Sequence, residues 1–400
     1  MVSATDRKQQ KRGRNIVLIK MRLQTLRPEW RQIIDEFTGT RIVQWTSGET
    51  MNHHFYFTNR TISADGSRGY FVSYRTGYPN LFGIDLITGE ITQLSDRIDI
   101  NPFSPALSSR SPWIYISARQ CIHAISTQDD ADRELCRFKT AKLGNCSLNS
   151  DGSLLAVALR HDDYCEMAIV DTHTGKYEIA TRAKEIGHIQ FCPIDSDLLI
   201  YSGTVAQRLW LYNGRTGKES WVYPQKPTEW IVHESWLGQS KEILFPHWPK
   251  ALRAIQADGG QFRTVTSVNA WHACSNLQGT LIVCDTNHPD RGLLLIDPHT
   301  GEYRVLCHPR ATQRGTQWLH DLPVVGAGID TSIIRSDSPE RDSPPQPNDP
   351  ASVYGPQWTH PHPTFSADGR TVIYTSDRDR WSHVYQANLA VMPERSQTAS

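Results

Sequence analysis

This chain encodes an all-β fold, a seven-bladed β-propeller. A turn signal recurs along it, the recurrence has the period of a propeller blade, and short apolar strands fill the intervals. Each copy opens with a Ser/Asn-x-Asp-Gly turn, passes through an apolar strand, and closes a second strand on Asp-x-x-Thr-Gly. The first clear copy reads Ser63-Ala64-Asp65-Gly66, strands over 69–74 and 80–85, then Thr88-Gly89. The second reads Asn149-Ser150-Asp151-Gly152, strands over 154–158 and 166–171, then Thr174-Gly175. Degenerate copies begin at Ser104-Pro105, Cys192-Pro193, Leu237-Gly238 and Ser275-Asn276, with closing turns at Thr216-Gly217 and Thr300-Gly301. A last copy, Phe365-Ser366-Ala367-Asp368-Gly369, brings the count to seven. Starts lie roughly 40 to 45 residues apart, a blade period. Asp-Gly and Thr-Gly supply the positive-φ turns between antiparallel strands. One small sheet cannot bury both faces, so successive sheets must stack around an axis.

In chain order, residues 1–26 read as a flexible extension, basic between Lys8 and Lys20 and without the apolar centre of a signal peptide. A cytoplasmic protein is the expectation, with Met21 an alternative start. A short helix is expected over 29–37, before Thr38-Gly39 and a strand over 41–44. The propeller spans 27–386, interrupted by a Pro/Ser/Asp-rich loop at 336–350 that cannot pack, and 387–400 form a tail. Eight cysteines lie scattered with no Cys-x-x-Cys pair, several inside apolar strands, and read as buried thiols.

Composition excludes several function classes. Lys+Arg and Asp+Glu are balanced at 42 each over 400 residues, so no global field draws the chain to nucleic acid or an anionic membrane. No apolar run approaches the roughly 18 residues a membrane span needs. An anionic substrate must be met by a local site.

In a propeller, residues far apart in sequence converge on the axis. Five places carry suitable chemistry: His53-His54, Gln207-Arg208, His233-Glu234, Trp271-His272, and Gln357 with His360 and His362. An extended backbone puts His360 and His362 on one face, and Pro361 and Pro363 stiffen that presentation. His233, His272 and His360/His362 each precede a turn signal at equivalent points of different blades. Each residue also has a structural reading. The paired histidines can hydrogen-bond locally, His272 can be a surface residue, and Glu234 can simply hold His233. Arg208 can stack on Trp210 or Trp236, and His53 and His54 can satisfy backbone groups. His247, His288, His299, His308 and His320 read as solvated turn residues.

With these motifs the chain resembles the oligogalacturonate lyase family of polysaccharide lyases, over about residues 27–386. The carriers are His53-His54-Phe55-Tyr56-Phe57-Thr58-Asn59, Ser73-Tyr74-Arg75-Thr76-Gly77-Tyr78-Pro79-Asn80-Leu81, Gln207-Arg208-Leu209-Trp210, His233-Glu234-Ser235-Trp236, Trp271-His272, and Gln357-x-x-His360-Pro361-His362-Pro363. The resemblance implies a propeller that holds a divalent ion, Mn2+ in that family, through His272, Gln357, His360 and His362. It implies His233 as the base, Arg208 as a cation on the substrate, and His53, His54, Tyr56 and Asn59 as candidate substrate contacts. The substrate it implies is a small anionic oligosaccharide, an oligogalacturonate cleaved by β-elimination. The long 336–350 insertion and the texture of 312–328 depart from the family's pattern and bear on which oligomer fits.

The chemistry matches that set. Elimination removes the proton beside a uronate carboxylate, placing a second negative charge on an anionic group. A divalent ion on that carboxylate offsets it, and histidine and glutamine ligands leave the ion its full charge. The competing expectation is a non-catalytic TolB-like propeller that serves as an interaction scaffold and binds no metal.

Overall fold

The recurring closing turn is a hydrogen-bonding device. Asp85 Oδ1 accepts from the amides of Ile87 (2.9 Å) and Thr88 (2.8 Å), and Gly89 then takes φ +77°. Asp171 and Asp297 repeat the arrangement, ending on Gly175 (φ +71°) and Gly301 (φ +74°). The carboxylate satisfies amides that have no strand partner, and glycine accepts the left-handed backbone without a Cβ penalty.

The structure, a computed structural model, describes residues 24–287, 289–313 and 357–389. Seven antiparallel sheets form the blades. Blade 1 runs outward from Asn52–His54 through Arg68–Ser73 and Asn80–Asp85 to Ile91–Gln93, with Thr25–Leu26 added on its edge. Blades 2, 3 and 4 begin on Ala106–Leu107, Lys142–Leu148 and Gly187–Cys192. Blade 5 has a broken inner strand, Trp230–Ile231 and Ser235–Trp236, and blade 6 begins on Ala270–Ser275. Blade 7 joins both ends of the chain. Thr364–Phe365, Thr371–Asp379 and Trp381–Asn388 are continued outward by Arg41–Gln44 and Arg31–Ile34, with Val43 opposite Gln386. That mixed sheet closes the ring.

Two local expectations are corrected. The short helix over 29–37 is a strand, Arg31–Ile34, followed by a turn. Asp35 Oδ1 accepts from the amides of Phe37 (3.2 Å) and Thr38 (2.9 Å), and Gly39 has φ +71°. Asp35-x-x-Thr38-Gly39 is thus another closing turn, and pairing on the edge of blade 7 overrides the helical spacing of Trp30, Ile33 and Phe37. In blade 2, Ser104-Pro105 precedes the inner strand, and Ser108 Oγ caps the turn by accepting from Arg110 N (3.2 Å) and Ser111 N (3.1 Å). The 336–350 insertion lies outside the described residues, as do 1–23 and 390–400.

Blades adhere through side chains above and below each sheet. Ile122 and Ala124 of blade 2 pack with Leu155 and Val157 of blade 3. Ile200 and Leu211 of blade 4 pack with Ile243 and Phe245 of blade 5. Phe71 and Phe82 of blade 1 meet Ile373 and Val384 of blade 7. Each fully buried aliphatic or phenyl side chain contributes about 1.5–3 kcal/mol. All eight cysteines are free and buried within these layers.

Candidate metal centre and active site

The inner strands do not run smoothly past the axis. Register breaks between Gly187 and Gln190 in blade 4 and between Ala270 and Ala273 in blade 6, spanning His188 and His272. His188, His233 and His362 adopt φ of +46°, +49° and +46°. A left-handed backbone costs a side-chain-bearing residue on the order of 1–2 kcal/mol, and it persists only where the surroundings impose it. Here bulges turn imidazoles of neighbouring blades toward one another.

The result is a histidine cluster from blades 5, 6 and 7. The His233 and His272 rings stack with centroids 4.0 Å apart, and His272 and His362 are also 4.0 Å apart. His360 lies 5.7 Å from each of His272 and His362. All four are buried. Phe57 packs on His272 (5.2 Å) and Tyr56 on His362 (5.1 Å), closing the cluster with aromatic rings. His360 follows a 3-10 turn, Gln357–Thr359; the side chain of Gln357 lies outside the described residues.

Asp285 organises this end. Its carboxylate is buried and accepts from the His272 amide (2.6 Å), from His272 Nδ1 (2.8 Å) and from the His362 amide (3.3 Å). A proton fixed on Nδ1 leaves the lone pair of His272 on Nε2. His54 secures the other side, donating from Nε2 to the His362 carbonyl (2.8 Å), while its Nδ1 bonds Thr375 Oγ1 (2.7 Å). Nε2 of His272, Nε2 of His362 and Nδ1 of His233 are buried and make no hydrogen bond among the described residues.

A cationic arm adjoins the cluster. Arg208 Nε donates to Glu234 Oε2 (3.2 Å), and its Nη2 lies 2.8 Å from His188 Nδ1. Tyr56 Oη meets His188 Nε2 at 3.1 Å, and the His188 ring sits 5.5 Å from His233. Burial tends to raise the Glu234 carboxyl, but Arg208, His188 and the Ser202 hydroxyl outweigh it and hold it below the usual range. Burial, then the charges of His272, His188 and Arg208, push His233 well below the ordinary histidine range. His233 is therefore a neutral imidazole beside an arginine.

The sequence-derived residues divide by position. His233, His272, His360 and His362 meet at the axis, with Arg208 one residue away through His188. His54 is hydrogen-bonded within the scaffold as described, and burial holds it near 3. His53 stacks on Phe103 (4.7 Å), bonds the His54 carbonyl through Nδ1 (2.9 Å) and is held near 4 by burial. Asn59 donates to the Cys146 carbonyl (3.1 Å), beyond Phe57 from the cluster. His247, expected in a solvated turn, is buried in strand Glu242–Trp248, where it lies between Ile231 and Ala251 of the flanking strands. His288 and His320 lie outside the described residues.

Two participants escaped sequence reasoning. Asp285 interrupts the apolar run Leu281-Ile282-Val283-Cys284, and a carboxylate there needs a buried partner. His188 occupies in blade 4 the place that His233 and His272 occupy in theirs, ahead of Cys192-Pro193. A second grouping with ligand chemistry, Cys121, His123 and Glu134, has ligand atoms within 4.8 Å of one another. Arg137 pairs with Glu134, and Arg97 Nη1 lies 3.2 Å from His123 Nδ1. Positive charge already stands where a cation would sit.

No family profile matches the chain. It is 22% identical over 407 residues to an oligogalacturonate lyase of Dickeya dadantii (strain 3937), covering 89% of this chain and 95% of that protein. It is 21% identical, with the same coverages, to an oligogalacturonide lyase of Pectobacterium atrosepticum. Among solved structures it resembles an oligogalacturonate lyase in complex with manganese, at TM-score 0.76 and 19% identity, covering 92% of this chain and 98% of that one. An oligogalacturonate lyase from Vibrio parahaemolyticus superimposes at TM-score 0.74 and 17% identity, covering 92% of this chain and 99% of the other.

Proposed function

We propose that this protein is a metal-dependent lyase that cleaves short galacturonate oligomers, products of pectin breakdown, by β-elimination. The observation that carries the reading is the meeting of His233, His272, His360 and His362 from three blades at the channel axis, rings 4.0 to 5.7 Å apart. Names of relatives aligned over nearly their whole length supply the substrate class.

The donor chemistry of the cluster suits a divalent ion. Nε2 of His272 and of His362 are buried without a hydrogen-bond partner among the described residues, an expensive state that coordination relieves. Asp285 orients His272 in the way outer carboxylates orient metal-bound imidazoles. His272, His360 and His362 would hold the ion, with Gln357 on the adjoining 3-10 turn. Imidazole and carboxamide donors suit several first-row metals, and the neighbour's manganese makes Mn2+ the choice. When bound, the ion supplies Lewis-acid charge beside the uronate carboxylate.

The remaining work falls to the chain's own residues. His233, neutral and stacked on His272, presents a lone pair for the proton beside that carboxylate. An anionic substrate opposes the cationic neighbours and raises the basicity of His233 as it binds. Arg208, braced by Glu234 and His188, carries the positive charge that meets a second carboxylate. Phe57 and Tyr56 exclude water from one side, strengthening each charge interaction.

The test is His233→Ala, assayed by the ultraviolet absorbance of the unsaturated uronate product. The variant should keep metal and fold while turnover falls at least ~100-fold. Undiminished absorbance growth would remove His233 as the base. Cleavage by the wild type without that absorbance would replace elimination with hydrolysis.

A further inference from the structure

Phe57 has two faces. One packs on the histidine cluster, and the other lines a cavity of about 520 Å³ at the opposite mouth of the channel. That size is typical of small-molecule sites. The turns after the inner strands wall it, contributing Asn149, Gln239, Asn276 and Ser366 from blades 3, 5, 6 and 7. Two arginines, Arg60 and Arg110, also line it, and no aspartate or glutamate does.

Neither guanidinium makes an ion pair or hydrogen bond among the described residues. Arg110 is exposed, but Arg60 is not, and arginines shielded as it is are otherwise paired: Arg75 with Glu29, Arg97 with Asp99 and Asp132, Arg253 with Glu229. Arg60 is half-buried, and burial together with the Arg110 charge works against its protonated form. The two like charges face a cavity whose lining carries no carboxylate, and the acid acting on Arg110, Asp151, stands outside that lining without forming an ion pair.

We infer that this second mouth binds a small oxyanion, a carboxylate or phosphate group carried on a molecule about the size of a monosaccharide acid. Arg60 and Arg110 grip the anion, and the Asn, Gln and Ser side chains hydrogen-bond the rest. The inference is independent of the reaction at the histidine end.

Calorimetric titration of the full chain with sodium D-galacturonate and, in parallel, with potassium phosphate tests it. The comparison is wild type against the double variant Arg60→Gln/Arg110→Gln, with circular dichroism and melting temperature as checks of fold. Saturable binding to wild type that weakens at least about tenfold in the variant supports the site. The probe that shows the loss identifies the group it takes. Equal affinities of the two proteins for both probes would overturn the proposal, as would absence of saturable binding of either probe to wild type.

Discussion

Replacing Asp285 with asparagine isolates the group that orders the proposed metal ligands while keeping its volume. The carboxylate accepts three hydrogen bonds, two from His272 and one from the His362 amide. Asparagine retains one acceptor oxygen but sets an amide donor against donors and removes the charge. A hydrogen bond to a charged group contributes about 1.5–3 kcal/mol, and loss of such an outer partner weakens metal binding ~10- to 100-fold. Manganese affinity of Asp285→Asn, read by calorimetric titration, should fall by that factor. Turnover should recover largely at saturating manganese, because His233 and Arg208 are untouched. Wild-type affinity in a folded Asp285→Asn would refute the claim that Asp285 holds His272 for coordination.

Three further outcomes follow from the same structure. Arg208→Ala strands the fully buried Glu234, so denaturant unfolding should show a loss of about 3–5 kcal/mol, partly restored by Arg208→Ala/Glu234→Gln; no difference between the two would contradict the pairing. Glu229 is tilted upward by burial, but the Lys226 amide, Arg253 and Tyr223 overcome this and hold it near 2, below its ordinary 4.5. Its stabilisation is therefore complete above 4.5 and drains as pH falls from 4.5 toward 2, so Glu229→Gln should flatten the melting-temperature profile in that window; parallel profiles would count against it. A Cβ on Gly301 would lie 2.2 Å from the Val265 carbonyl oxygen, whereas one on Gly217 meets nothing within 4 Å. Gly217→Ala should lose about 1–2 kcal/mol from its left-handed backbone and Gly301→Ala distinctly more; equal melting temperatures would deny the close approach.

Much of the architecture was legible because the closing turn is chemically explicit: an aspartate to take two amides and a glycine immediately after the second. The same rule, applied to Asp35-x-x-Thr38-Gly39, would have replaced the supposed helix with the outer hairpin of blade 7. The histidines of the cluster were legible as equivalent positions before successive turns. Their convergence was not, since it depends on bulges and on φ near +46° to +49° at His188, His233 and His362, which no local residue type announces. Asp285 was hidden for another reason: its partners lie 13 and 77 residues away, and only the closed ring brings them together. The sequence offers His53 and His54 as candidates alongside the cluster, yet the fold engages them with Phe103, Thr375 and the His362 carbonyl.

Elemental analysis of the purified wild type beside His362→Ala addresses the shared-ion account directly. One equivalent of a divalent first-row metal per chain in the wild type, and almost none in a folded His362→Ala, is the predicted result. A metal-free but fully active wild type, or His362→Ala that keeps a full equivalent, would contradict it.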